Sequence, residues 1–212
     1  MSKTTMGKRS SFKIQRRLGV EIPGLGKAGA LERRPYGPGM HGQKRKKLSD
    51  YTVRLMEKQK LRFHYGIREA QIIKLVKQTK RVKTDRPWVD ILVERLETRL
   101  DNVVFRLNWA PSMAAARQMV SHGHIKVNGK KADIASILVN VNDELTLTEK
   151  GAKSGNYLQA KTRPRLSAIP AYLSVEKDGE KEKGKMVSGP LAEDIPFPFE
   201  KRLVIEYYWK VK

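Results

Sequence analysis

The sequence predicts an α+β protein with an extended basic N-terminal arm, a helical domain, and an inserted domain of short helices packed on a small antiparallel sheet. Three observations carry this reading. Residues 1–48 are rich in Gly, Pro, Lys and Arg and show little hydrophobic period. Apolar residues then recur at helical spacing as far as His122. From Ile125 the period switches to two, the signature of strands.

The first 48 residues cannot bury enough apolar surface to fold alone, so an arm that orders on a partner is expected, with one short helix around 13–18. Ser49 is a good N-cap and Asp50 suits the positive helix end, so a helix is expected over 51–65, ended by Gly66. A second follows over 67–81. A third starts near Pro87, with Trp88, Ile91, Leu92 and Leu96 as its apolar stripe. Leu100, Val103, Val104 and Leu107 mark a helix over 101–107, in which Asp101 reads as an N-cap rather than an acid catalyst. Ser112 caps a helix over 113–122, closed by Gly123.

Ile125 and Val127 flank Lys126, and Asn128-Gly129 signals a tight hairpin. Strands are expected at 137–141 and 144–148. Residues 149–170 read as basic loop. Two more strands, 172–175 and 185–188, flank a charged turn over 176–184. A Pro-rich link over 190–198 leads to a final apolar strand over 203–208. The expected domains are an arm, 1–48, a helical domain, 49–98, rejoined by about 190–212, and an inserted domain, 99–189.

The charge points to a polyanion. The chain has 212 residues, with 44 Lys+Arg against 22 Asp+Glu, a net charge of +22. Residues 1–90 carry +17 of this, from 24 basic and 7 acidic side chains; residues 91–150 carry +1 and residues 151–212 carry +4. Such a surplus repels itself unless a polyanion neutralises it, so nucleic acid is the first partner expected. A membrane surface is weaker, because no helix joins a bulky apolar face to a basic one. No transmembrane span or signal peptide is evident, and a cytoplasmic protein is expected. With no cysteine, disulfides, thiolate zinc sites, iron–sulfur clusters and a cysteine nucleophile are excluded.

Within the basic region, Arg54, Lys58 and Arg62 fall at i, i+4 and i+8 on one helix face. A solvated face is the ordinary reading of such a stripe. The flanking Lys44, Arg45, Lys46 and Lys47 favour a phosphate-binding face instead. Other suggestive features lack a context for chemistry. The glycines Gly24, Gly26 and Gly29 fit a dinucleotide pattern, but no strand precedes them and Pro35 interrupts any following helix. His122 and His124 lack a third ligand, and His41 and His64 sit in basic surroundings, so neither a metal nor a cofactor is expected. No nucleophile–base constellation is present.

Two motifs are more specific. Residues 99–107 read R-L-D-N-V-V-F-R-L, and residues 114–129 read A-A-A-R-Q-M-V-S-H-G-H-I-K-V-N-G. Together they resemble the α-L RNA-binding motif, in the form found in the bacterial small-subunit ribosomal protein four family. R-P-Y-G-P-G-M-H-G at 34–42, L-S-D-Y at 48–51, E-K-Q-K-L-R at 57–62 and L-V-I-E-Y-Y at 203–208 extend the resemblance in order from about residue 33 to the end. A shared domain alone would match only 99–150.

The resemblance implies a structural protein, not an enzyme, that binds small-subunit ribosomal RNA near a multi-helix junction and nucleates assembly. It also implies small-subunit proteins five and three as neighbours, messenger RNA nearby, and an influence on decoding accuracy. A bacterial or organellar ribosome is its implied location. Some such proteins repress their own message. Many family members hold a four-cysteine metal or cluster site in the arm. This chain does not, so RNA and packing must order its arm. Met40 replaces a common Gln.

Within the motif, Arg99, Arg106, Arg117, Ser121, His122, Lys126, Asn128 and Lys130 are the candidates for RNA contact, through phosphates, sugars and 2′-hydroxyls. Arg117, Ser121 and Lys126 should cluster. Asn128 has a competing role in the hairpin turn. In the arm, Arg33 and Arg34 supply charge, and Tyr36 and His41 either stack on bases or pack the turn. The competing readings are an RNA-modifying enzyme carrying an α-L domain, for which little room is left, and a transient ribosome-associated factor.

Overall fold

The computed structural model describes residues 10–26, 29–44, 47–164, 166, 168–178 and 181–209. Five helices precede the motif: α1 (Ser11–Leu18), α2 (Ala30–Arg33), α3 (Asp50–His64), α4 (Glu69–Lys80) and α5 (Trp88–Glu97). The motif contributes α6 (Leu100–Arg106), α7 (Met113–Ser121), β1 (Ile125–Val127), β2 (Lys130–Ala132) and β3 (Glu144–Leu147). Then come α8 (Glu149–Ala152), α9 (Gly155–Thr162), β4 (Leu173–Asp178), β5 (Lys181–Met186) and α10 (Lys201–Tyr207). The strands form one antiparallel sheet in the order β2-β1-β3-β5-β4. The fold is α+β.

Local chemistry sets the element ends. The Ser49 and Ser112 side chains accept from the N–H groups of Thr52 and Ala115 and so start α3 and α7. Gly66 and Gly123 lie at φ +59° and +67° and turn the chain out of α3 and α7. Asn128 at φ +48° and Gly129 at φ +76° form the hairpin, which requires positive φ at both positions.

Five expectations need correction. Residues 203–208 are not a strand but most of α10, because Val204 and Tyr208, four apart, both enter the core of the helical unit. The expected strand over 137–141 is reduced to a bridge between Leu138 and Arg99. The Ile137 carbonyl, and that of Ala135 just before the segment, accept instead from Leu100 and Asp101, whose N–H groups have no partner within α6. The loop expected at 149–170 contains α8 and α9, capped by the Thr148 and Ser154 hydroxyls. The charged turn at 176–184 is mostly strand, with Glu176 opposite Lys183 and Lys177 opposite Glu182. Opposite charges across a ladder favour pairing. Asp101 follows the true cap of α6, Arg99, rather than being the cap itself.

One apolar cluster joins α3, α4, α5 and α10; the other lies between α6, α7 and the inner face of the sheet. They meet at Glu97, which is fully buried. Its carboxylate accepts two hydrogen bonds from Arg106, one from Asn102 Nδ2 at 2.6 Å, and one each from the hydroxyls of Tyr65 and Tyr172. Tyr65 belongs to the first cluster and Tyr172 to the second. Burial pushes the Glu97 carboxyl up, but the charge and hydrogen bonds of Arg106 outweigh it and hold the carboxyl below its usual range.

The described residues of the arm pack against one another and against the rest of the protein. The Arg16 guanidinium donates to the carbonyls of Tyr36 and Gly37 and lies 5.1 Å from the Tyr36 ring centroid. Gly24 rests on Phe105 of the motif, where a Cβ would stand 2.7 Å from the ring. Nearby, His64 Nδ1 is 3.1 Å from the Pro23 carbonyl, and its buried ring packs against Tyr65, Phe105 and Phe197.

Two predictions follow from these buried groups. Arg106→Leu leaves the Glu97 carboxylate buried without its countercharge and should cost about 3–5 kcal/mol in urea unfolding. The second concerns His64. Burial, and then the charge of Arg106, lowers its pKa from 6.5 to about 3. Between those values the unfolded chain binds more protons than the folded one, so stability rises with pH across the window and is lost on acidification. The pH dependence of unfolding between pH 3 and 6.5 should flatten in His64→Gln.

Candidate nucleic-acid interface

The outer face of the sheet follows from its register. Ile125, Leu145 and Leu147 belong to or pack against the core cluster. The strand period of two turns Lys126 the other way, and its cross-strand partners are Lys131 on β2 and Thr146 on β3. Lys126 and Lys131 are exposed. Like charges set directly opposite destabilise a bare sheet, so this pair suits an anionic ligand. Thr146 is in turn paired with Lys183 of β5, so the row continues across the sheet. Ser121 and His122 are exposed at the end of α7, and Asn128 and Lys130 are exposed at the hairpin.

The expected cluster of Arg117, Ser121 and Lys126 is not a shared surface. Arg117 turns toward the helical unit, where its Nη1 donates to Gly66 O at 2.8 Å and its Nη2 to Tyr65 O at 3.0 Å. Its Nε and Nη2 also donate to Asp101 Oδ2. Arg99 makes a two-pronged pair with the same carboxylate, at 3.0 and 2.9 Å. Asp101 thus gathers Arg99 and Arg117, as Glu97 gathers Arg106. Arg106 is 1% exposed, which leaves it no surface for RNA. The Asn128 side chain is also engaged, donating to Asp143 Oδ1 and accepting from Glu144 N–H, both at 2.8 Å. Ser121 Oγ donates to Arg117 O, as a helical serine often does.

The stripe on α3 needs the same correction. Arg54 pairs with Glu206 of α10 at 2.7 Å. Lys58 is buried and pairs with Glu69 of α4 at 2.7 Å, with the Tyr207 ring beneath it. Arg62 is half-buried beside Gln59 and Phe63. Two of its three members therefore dock neighbouring helices, Arg54 to α10 and Lys58 to the start of α4. Sequence spacing shows that the three share a face, but not that remote acids cover it.

In the arm, Arg33, Arg34, His41, Lys44 and Lys47 are exposed, and Tyr36 is partly covered by Arg16. Arg45 and Lys46 lie outside the described residues. A tight loop presents His41: a Cβ on Gly42 would fall 1.9 Å from Gly37 O. Several exposed cations were not singled out from sequence. Lys131 lies on β2 and Lys150 on α8, and Lys74, Lys77 and Arg81 lie on the outer side and C-terminal end of α4. The i, i+3, i+7 spacing was the available signal for the α4 set. Among the described residues no group of three His, Asp or Glu side chains could hold a metal ion, and no helix is long and apolar enough to cross a membrane.

Fold and surface together define a basic helical unit joined to a motif of the α-L type, whose sheet presents the exposed Lys126 and Lys131. Comparison with known proteins agrees. Residues 7–97 match the family model for the ribosomal protein S4/S9 N-terminal domain, and residues 98–145 match the S4 domain. The chain is 52% identical over 202 residues to small ribosomal subunit protein uS4B of Bdellovibrio bacteriovorus, covering 95% of this chain and 96% of that protein. It is 42% identical over 199 residues to uS4 of Methylobacillus flagellatus, covering 93% and 94%. It is 43% identical over 199 residues to uS4B of Nitrosomonas europaea, with the same coverage. The chain belongs to the uS4 family of small-subunit ribosomal proteins.

Because Arg54 and Lys58 pair with carboxylates of α10 and α4, Arg54→Ala combined with Lys58→Ala should lower the midpoint of urea unfolding; unchanged unfolding with weakened RNA binding would return the stripe to the surface role. Arg117→Ala removes donors to Asp101, Tyr65 and Gly66 together. It should raise amide exchange in the 65–67 corner and in α7 while leaving the sheet protected.

Proposed function

We propose that this protein is a structural constituent of the small ribosomal subunit and a primary binder of its RNA, nucleating assembly. The observation that carries the reading is the exposed Lys126–Lys131 pair, which has no ion-pair partner among the described residues. A sheet tolerates that arrangement best against phosphates. The contact residues we propose are Arg33, Arg34, His41, Lys44 and Lys47 in the arm, and Ser121, His122, Lys126 and Lys130 in the motif, with Lys131 and Lys150 added. Arg45 and Lys46 extend the arm's set by sequence. RNA is then gripped largely through shape and backbone, since an A-form duplex offers a shallow groove of 2′-hydroxyls rather than a readable code.

The finer parts of the reading rest on the family. We infer neighbours among small-subunit proteins, namely five and three, a position near the messenger path, and an influence on decoding accuracy. The curated relatives are ribosomal proteins, so the chain is a structural protein and not an enzyme, and an RNA-modifying role is not favoured.

Two outcomes are expected. The protein should remain stoichiometric in salt-washed small subunits, and recovery only in the soluble fraction would reject integral membership. With ~6–10 phosphates neutralised, affinity for small-subunit RNA should fall by several decades from low to moderate salt. A flat salt curve would count against the electrostatic grip.

A further inference from the structure

We propose that the corner between α7 and β1 is a seat for an RNA phosphate, lined by His122, His124, Lys131 and Lys150, in which His124 takes up a proton as the phosphate enters. This rests on the RNA-binding reading above and deepens it: the site is proton-linked, whereas lysine contacts alone are not.

Three elements bring the groups together. His122 and His124 face each other across Gly123, with ring centroids 5.9 Å apart and planes at 67°. Lys131 of β2 lies over Gly123, where a Cβ would stand 1.9 Å from Lys131 Cε and 2.7 Å from Nζ. Any side chain at 123 would expel that cation, and the φ of +67° already favours glycine there. Gly151 performs the same service for α8: a Cβ on it would stand 2.5 Å from His124 O. The absence of that Cβ lets the turn carrying Lys150 lie against His124. The His124 carbonyl is fixed by the Thr148 N–H at 2.9 Å and by the Thr148 hydroxyl. The backbone therefore holds the corner, and the imidazole is left for another partner.

The electrostatics of the corner have one sign. The charged groups facing His124 are His122 from the end of α7, Lys131 from β2 and Lys150 from α8; Thr148 of the adjoining turn carries no charge. Glu149 is exposed and does not offset them. Desolvation comes first, then His122, Lys131 and Lys150, and all of them hold the His124 pKa below its ordinary value. The free protein thus disfavours the imidazolium form of His124. A phosphodiester placed among the four groups reverses the field and favours the imidazolium, with the proton drawn from solvent. Two imidazoles without a carboxylate are a poor cation site, and the two lysines make it worse.

The test is calorimetric titration of small-subunit rRNA with the full chain near pH 6.5, in buffers of different ionisation enthalpy. We expect uptake of about one proton per complex, and an affinity that falls by up to about tenfold per pH unit between pH 6 and 8. In His122→Gln combined with His124→Gln, the complex should form without that uptake. Equal uptake in this variant, or none in the unaltered protein, would overturn the proposal. Should the variant fold poorly, the His124 imidazole of the unaltered protein is followed by NMR, free and bound. An upward shift in its titration midpoint on binding supports the seat, and an unmoved midpoint overturns it. No RNA binding at any pH would overturn the RNA-binding reading as well.

Discussion

A single buried carboxylate constrains how the two halves of this molecule can meet. Glu97 closes α5, and its oxygens receive donors from the end of α3, from α6 and from the segment leading into β4. An isolated buried charge is expensive, so every donor must arrive in place. That fixes Tyr65 of one apolar cluster against Tyr172 of the other. Asp101 repeats the device one turn further on, holding Arg99 and Arg117 while Arg117 reaches back to the Tyr65–Gly66 corner. Buried pairs of this kind contribute little net stability compared with apolar packing, but they penalise any other docking angle. We read them as specifying the relative placement of helical unit and motif.

This division of labour changes the meaning of the positive charge. Much of what looks like an RNA-binding inventory also has a structural use: Arg54, Lys58, Arg99, Arg106 and Arg117 all pair with carboxylates of the protein, although Arg54 and Arg117 stay partly exposed. Among the described cations that face solvent are the arm residues, the outer side of α4, Lys150, and Lys126, Lys130 and Lys131 of the motif. The motif segment is almost neutral overall, so its binding depends on where a few groups stand. The Glu97 and Asp101 contacts hold motif and helical unit together, and the proposed RNA grip on arm and motif relies on that placement.

Much of the fold was legible because local signals and tertiary packing agreed. Serine caps, positive-φ glycines and the Asn128-Gly129 hairpin put the start of α3, both ends of α7 and the β1–β2 turn close to where they lie. Legibility failed where tertiary contacts decided. The run Leu203-Val204-Ile205 with Tyr207 and Tyr208 has strand composition, but Val204 and Tyr208 fill the helical core and Glu206 meets Arg54 and Arg202. The acids and lysines around 176–183 resemble a solvated turn until the register sets them opposite one another. Candidate contacts were legible by type but not by exposure. Lys126 could be assigned to the outer face from its Ile125 and Val127 neighbours, but nothing near Arg106 in sequence reveals that Glu97, nine residues earlier, buries it.

The central claim is that the lysines of the sheet face touch RNA whereas those of the α3 stripe do not. The salt dependence of binding to small-subunit rRNA separates them, because each lost phosphate contact lowers the slope of log K against log salt by about 0.7–0.9. Lys126→Ala combined with Lys131→Ala should reduce the slope by about twice that amount. Arg54→Ala should leave it unchanged. A slope insensitive to the two sheet lysines, or lowered equally by Arg54→Ala, would contradict the assignment.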